Sequence, residues 1–119
     1  MSREVQFKDD GLILKLTGAT GFFALKFNLK ILYGTIKSVY VDYFDAPQWM
    51  LRMPGTSIPT LSIFEGGFKY ADEWYFLSYE SKVPLLIMGV SGHEKYSYVI
   101  FQIDDPTGVK SDIRKRIRD

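Results

Sequence analysis

The chain has 119 residues, 46% hydrophobic and 16% aromatic, with a formal charge of +1 and no cysteine. That length holds one domain, residues 1–119, around one core. The near-zero charge offers no bulk field to nucleic acid or anionic lipid, and the absence of thiols excludes disulfides, thiolate metal sites and cysteine nucleophiles.

Nine Phe, eight Tyr and two Trp favour pleated, half-buried surfaces, so the composition leans all-β. The opening Met-Ser-Arg-Glu-Val-Gln has no long apolar run after a basic cluster, so no secretory leader is expected. No apolar run approaches the ~20 residues of a membrane span. A cytoplasmic location is the default expectation, and the chain is expected not to be transmembrane.

In chain order, Glu4 to Lys8 alternates, with Val5 and Phe7 on one side. Asp9-Asp10-Gly11 predicts a hairpin turn, because Asp-Gly tolerates the positive φ of a tight turn. Leu12, Leu14 and Leu16 then share one strand face. Gly18 to Leu25 is ambiguous, with one helical turn near Ala19 to Ala24 as one reading. Lys26 to Leu32 alternates again, Phe27, Leu29 and Ile31 opposing Lys26, Asn28 and Lys30. Tyr33-Gly34 turns the chain into a β-branched, aromatic strand over Ile36 to Tyr43.

Leu51 to Gly67, with two prolines and three glycines, predicts a long ordered crossover between the two halves, preceded by a short strand over Gln48 to Met53. Glu73 to Tyr79 is strand-like on both faces. Val83 to Val90 is nearly all apolar, which predicts cover on both sides. Ser91 to Lys95 is a hairpin loop, and Tyr96 to Ile103 completes that hairpin with Val99, Phe101 and Ile103 inward.

After Ile103 the rhythm changes. Asp105-Pro106 predicts an N-cap and first helical residue. Val109, Ile113 and Ile117 recur every four residues as one apolar stripe, and the cations lie toward the end that the helix dipole favours for them. The sum is mainly β: about seven antiparallel strands in a bent sandwich or partly open barrel, closed by one C-terminal α-helix.

The residues resemble a family of bacterial pleckstrin-homology-like domains of unknown function. The likeness runs from Val5–Leu16 through Ala24-Leu25-Lys26 and Ile36-Lys37-Ser38-Val39. It is most specific in Arg52-Met53-Pro54-Gly55-Thr56-Ser57-Ile58-Pro59, followed by Gly67 and Trp74-Tyr75-Phe76, and it closes with Tyr96 through Asp105-Pro106. It departs at Thr60, where glycine is expected. The resemblance implies a fold and carries over no catalytic residues; many such domains bind phosphoinositides or peptides, and the fold does not set the ligand.

Candidate chemistry is sparse. His93, the only histidine, falls on a loop with Glu94 and Lys95 and reads as solvated, because a base needs a partner and a cleft. Asp9/Asp10, Asp72/Glu73 and Asp104/Asp105 lack calcium-loop spacing, and turn and cap roles are preferred for them. Lys26, Lys30, Lys37 and Arg52 are candidate anion contacts, with Arg52 preferred as a tie for the Pro-Gly loop. Tyr33, Tyr40, Tyr43, Phe44, Trp49, Met50 and Met53 exceed what so small a domain easily buries. Of these, Tyr40, Tyr43, Phe44, Trp49 and Met50 form the candidate protein interface. The expectation is therefore a non-catalytic interaction module without cofactor or metal. Its expected partner is a protein, a second copy of the chain included. Anionic lipid headgroups are the alternative, and no nucleic acid is expected.

Overall fold

The computed structural model describes residues 2–17, 28–44, 51–58, 63–93 and 95–117. Nine strands and one helix fall within them: β1 Ser2–Phe7, β2 Gly11–Thr17, β3 Asn28–Leu32, β4 Ile36–Asp42, β5 Leu51–Ile58, β6 Ile63–Tyr70, β7 Glu73–Tyr79, β8 Leu85–Val90, β9 Tyr98–Phe101 and α1 Pro106–Ile117. A 3-10 turn, Tyr33–Thr35, joins β3 to β4. The fold is mainly β, a partly open sandwich with a C-terminal helix. The described strands exceed the seven expected because the Pro/Gly stretch is itself built into the sheet.

The strands form a three-stranded sheet, β1-β2-β3, and a six-stranded sheet, β4-β8-β9-β7-β6-β5. The first is an antiparallel meander that opens on the predicted hairpin, with Phe7 opposite Leu12. Gly11 is required there for a different reason from the one expected. It is not in the left-handed region, and a Cβ on it would lie 2.5 Å from the Ile31 carbonyl oxygen of β3.

In the second sheet, Leu51 to Gly67 is a correction: the expected crossover is a hairpin of β5 and β6. Pro54 is accommodated because the register slips between Arg52 and Gly55, and β5 is an edge strand, where a missing N–H is tolerated. The expected run of antiparallel strands also has one exception. β9 lies between β7 and β8, antiparallel to β8 but parallel to β7. The connection from Glu80 to Pro84 therefore steps across one strand position before the next hairpin returns β9 into the gap.

Period-two alternation builds two apolar layers on this sheet. Phe76, Leu86, Met88, Val99 and Phe101 face Leu12, Leu14, Leu16, Leu29 and Ile31 of the small sheet, and Ile113 of α1 joins them. The alternate residues Leu77, Tyr79, Leu85, Ile87 and Ile100 collect with Phe68 on the other face. All six residues of β8 are buried, as its unbroken apolar run implies. Each buried Leu, Ile, Met or Val side chain there contributes roughly 1.5–3 kcal/mol.

The helix is as expected. Gly108 N donates to Asp105 Oδ1 at 3.2 Å, the N-cap bond. Ile113 is fully buried, Val109 and Ile117 pack at the rim of the core, and Arg114, Lys115 and Arg116 occupy the last turn. Arg114 Nη2 donates to the Val39 carbonyl at 2.9 Å, and the Arg116 guanidinium lies 4.1 Å from the Phe7 ring centroid. These contacts fix α1 against β4 and the first hairpin.

Candidate functional site

Three arrangements of polar or exposed residues stand out. The first is buried between the sheets. Alternation continues from Phe7 and Val5 to Arg3, so Arg3 enters the sandwich with them. Glu65 and Ser78 are opposite each other on β6 and β7, and both are fully buried. Arg3 Nη2 donates to Glu65 Oε2, Arg3 Nε donates to Ser78 Oγ at 2.7 Å, and Ser78 Oγ donates to Glu65 Oε1 at 2.6 Å. Glu80 adds a longer contact, 3.5 Å from Arg3 Nη1. Burial raises the Glu65 carboxyl above its ordinary value of 4.5, outweighing the lowering by Arg3 and Ser78. No reading of single motifs finds this cluster, although the β1 alternation carried one step further places Arg3 inside.

The second arrangement is a cleft of about 390 Å³. Its origin is a β-bulge. Ile36 pairs with Val90 and Ser38 with Gly89, so Lys37 is the extra residue of β4. As a result Ile36 and Val39 are buried while Lys37 and Ser38 are both exposed. Gly89 lies under the bulge, where a Cβ would come within 2.8 Å of Ser38 Oγ.

The opposite wall is the β8–β9 loop, with Ser91, His93, Lys95 and Ser97 lining the cleft. His93 was expected to be simply solvated. Instead its Nδ1 accepts from the Lys95 and Tyr96 amides at 3.1 and 3.2 Å. An Nδ1 that accepts from backbone N–H must be unprotonated, so the proton is on Nε2. Nε2 therefore donates to the Lys30 carbonyl oxygen, 3.2 Å away. The imidazole pins the loop to β3, and both ring nitrogens are used in doing so. Lys95 Nζ sits 4.8 Å from the Trp74 ring centroid and 5.4 Å from that of Tyr96. Burial raises the Tyr96 phenol, so it stays neutral at ordinary pH.

The third arrangement is aromatic. Tyr40 is 45% and Tyr43 64% exposed. Phe44 is half-buried and packs on Tyr75 with centroids 6.4 Å apart. Tyr33 is half-buried and donates its hydroxyl to the Lys8 carbonyl at 2.8 Å.

Of the candidate anion contacts, Lys30 is bound to Asp10 at 3.3 Å on the surface and lines a separate cleft of about 320 Å³ that shares Gly92 and His93 with the first. Lys37 lines the larger cleft. Lys26, Trp49 and Met50 lie outside the described residues, as do the side chains of Arg52 and Met53. Among the described residues no cluster of three or more His, Asp or Glu is placed to hold a metal, and no helix is long and apolar enough to cross a membrane.

Asp10 and Asp105 have the turn and cap surroundings expected of them. Ala71 and Asp72 both take positive φ in the β6–β7 turn.

In comparisons with known proteins, no family model, no curated protein and no solved structure matches the chain.

Proposed function

We propose that the chain is a non-catalytic interaction module that associates with a protein, a second copy of itself first, through the Tyr40–Tyr43 end of β4. One observation carries this reading: among the described residues Tyr40 and Tyr43 are the exposed aromatics, and every other aromatic side chain is buried or half-buried. Tyrosine presents a flat apolar ring and a hydroxyl at small entropic cost, which is why it is enriched in interface cores.

β4 is an edge strand, an invitation to strand addition. Its Val39 carbonyl, however, is occupied by Arg114, and the bulge at Lys37 breaks the edge further on. Side-chain contact is therefore favoured over a continued sheet. The non-catalytic part of the reading is supported by His93, whose ring nitrogens are both committed to backbone groups.

Sedimentation velocity over a wide concentration range tests the proposal. The expected result is a concentration-dependent dimer, weakened about tenfold or more in Tyr40→Ser/Tyr43→Ser, as for loss of interface anchors. A wild-type chain that stays monomeric to millimolar concentration would remove the self-association reading.

A further inference from the structure

We propose that the cleft at the Lys37 bulge binds a phosphate group, carried either by a small soluble ester or by a lipid headgroup. This goes beyond the aromatic surface and does not depend on it. A surface lysine is usually just solvated, so the case rests on how the site is built. A bulge gives up regular pairing and typically re-aims a side chain. Here it turns two successive polar residues, Lys37 and Ser38, to the same exposed side. Gly89 supplies the floor, and no larger residue fits without displacing the Ser38 hydroxyl.

The far wall is held in place before any ligand arrives. His93 ties it to β3 and closes the Lys95 and Tyr96 amides onto its own ring. Such preorganisation lowers the ordering cost of binding. The Lys95 ammonium itself lies over the Trp74 and Tyr96 rings, a cation–π contact that localises the charge at the mouth of the loop and leaves N–H donors for an anion.

Two lysines, Lys37 and Lys95, and three serines, Ser38, Ser91 and Ser97, thus line one cleft. Among the described residues neither Lys37 nor Lys95 has a carboxylate within salt-bridge distance. Lysine binds phosphate as a compact point charge with three rotatable donors. Glu73 is also in the lining and opposes an anion, so the affinity is modest and Glu73 sets its limit.

The test is a series of 15N–1H correlation spectra at low ionic strength, titrating the full chain with inorganic phosphate and with glycerol 3-phosphate against chloride of matched ionic strength. Co-sedimentation with phosphatidylcholine vesicles, with and without phosphatidic acid, forms the second arm. The expected result is saturable shifts confined to the amides of Lys37, Ser38, Gly89 and Ser91 to Ser97. Affinity should fall about tenfold in Lys37→Gln/Lys95→Gln and rise about threefold in Glu73→Gln, as for unit charges at about 6 Å in water. It should also weaken with added salt.

Both lysines are exposed, so the variants should keep a dispersed spectrum, and Lys37→Gln alone repeats the test with the Lys95 ring contacts intact. Soluble esters that bind without vesicle retention assign a free phosphate. Retention by phosphatidic acid that the lysine variants abolish assigns a headgroup. Shifts matched by chloride, no saturation by any phosphate probe, or binding that survives Lys37→Gln/Lys95→Gln would each overturn the proposal.

Discussion

Arg3 and Glu65 form an ion pair in the space between the two sheets, with side chains 4% and 0% exposed. Ser78 bridges them, accepting from Arg3 Nε and donating to the other carboxylate oxygen. The pair joins β1 of the small sheet to β6 of the large one, where it continues a layer that is otherwise apolar. Taking two charges out of water costs several kcal/mol per ion, so such a pair is weak evidence of net stabilisation. Its asymmetry is the informative property. Removing one partner leaves the other buried and uncompensated. Arg3→Met is therefore expected to destabilise the fold by about 3–5 kcal/mol. Arg3→Met combined with Glu65→Met should recover part of that loss. Urea denaturation of the two variants checks the order, and a double variant no more stable than the single one would contradict the assignment.

The same carboxyl gives a pH dependence with a defined sign. Burial raises the Glu65 pKa in the folded chain above 4.5, with Arg3 and Ser78 only partly offsetting it. The folded state then holds its proton to higher pH than the unfolded chain does. The contribution of this group is complete below its unfolded value and is lost as pH rises through the folded one. The stability of the wild type relative to Glu65→Gln should fall as pH increases above 4.5, by at most about 1.4 kcal/mol per pH unit. Denaturant titrations of both proteins across that window measure the difference, and a difference that grows with pH would reverse the sign.

The legible parts of this fold are those written in local periodicity. The unbroken Leu85–Val90 run anticipates a strand covered on both faces, and the shift after Ile103 to a four-residue rhythm anticipates α1 with its Asp105 cap. Strand order is not written that way. Nothing in Tyr98–Phe101 distinguishes a strand that closes a simple hairpin from one that also pairs in parallel with β7. Pro54 and Gly55 suggested an interruption because a bulge at a sheet edge accepts the same residues as a loop. The cleft left a trace that motif reading passes over. Ile36 and Val39 are separated by two polar residues instead of one, which is the signature of a bulge in an alternating strand. Arg3 was hidden by its charge, since an arginine near a terminus is normally placed in solvent.

Gly11 and Gly34 separate two roles of glycine. A Cβ on Gly11 would meet the Ile31 carbonyl at 2.5 Å and the Leu32 Cα at 2.9 Å, both backbone atoms. Relief requires β2 and β3 to move apart. Gly11→Ala should cost about 1–3 kcal/mol, the range for overpacking. Nothing lies within 4 Å of a Cβ on Gly34, and its φ is not in the left-handed region. Gly34→Ala is therefore expected to be neutral or to stabilise by about 0.4–1 kcal/mol, through the unfolded chain. Thermal and urea denaturation of both variants checks the contrast, and similar effects at the two sites would refute it.

The start of α1 combines a cap with an unusual backbone. Asp105 caps Gly108 while holding φ at +52°, a region that Asp enters more readily than Ala. Asp105→Ala therefore loses a hydrogen bond and adds strain, and should cost about 1–2 kcal/mol, the upper part of the cap range. Asp105→Gly loses the same bond but relieves the backbone, so its cost should be clearly smaller. Gly108 completes the arrangement, because a Cβ there would fall within 3 Å of the Asp105 carboxyl carbon. Alanine normally gains about 1 kcal/mol over glycine inside a helix. Here that gain is offset by displacement of the cap, and Gly108→Ala should be close to neutral. If Gly108→Ala instead showed the full helix-propensity gain, the Asp105 carboxylate would not be holding this end of the helix.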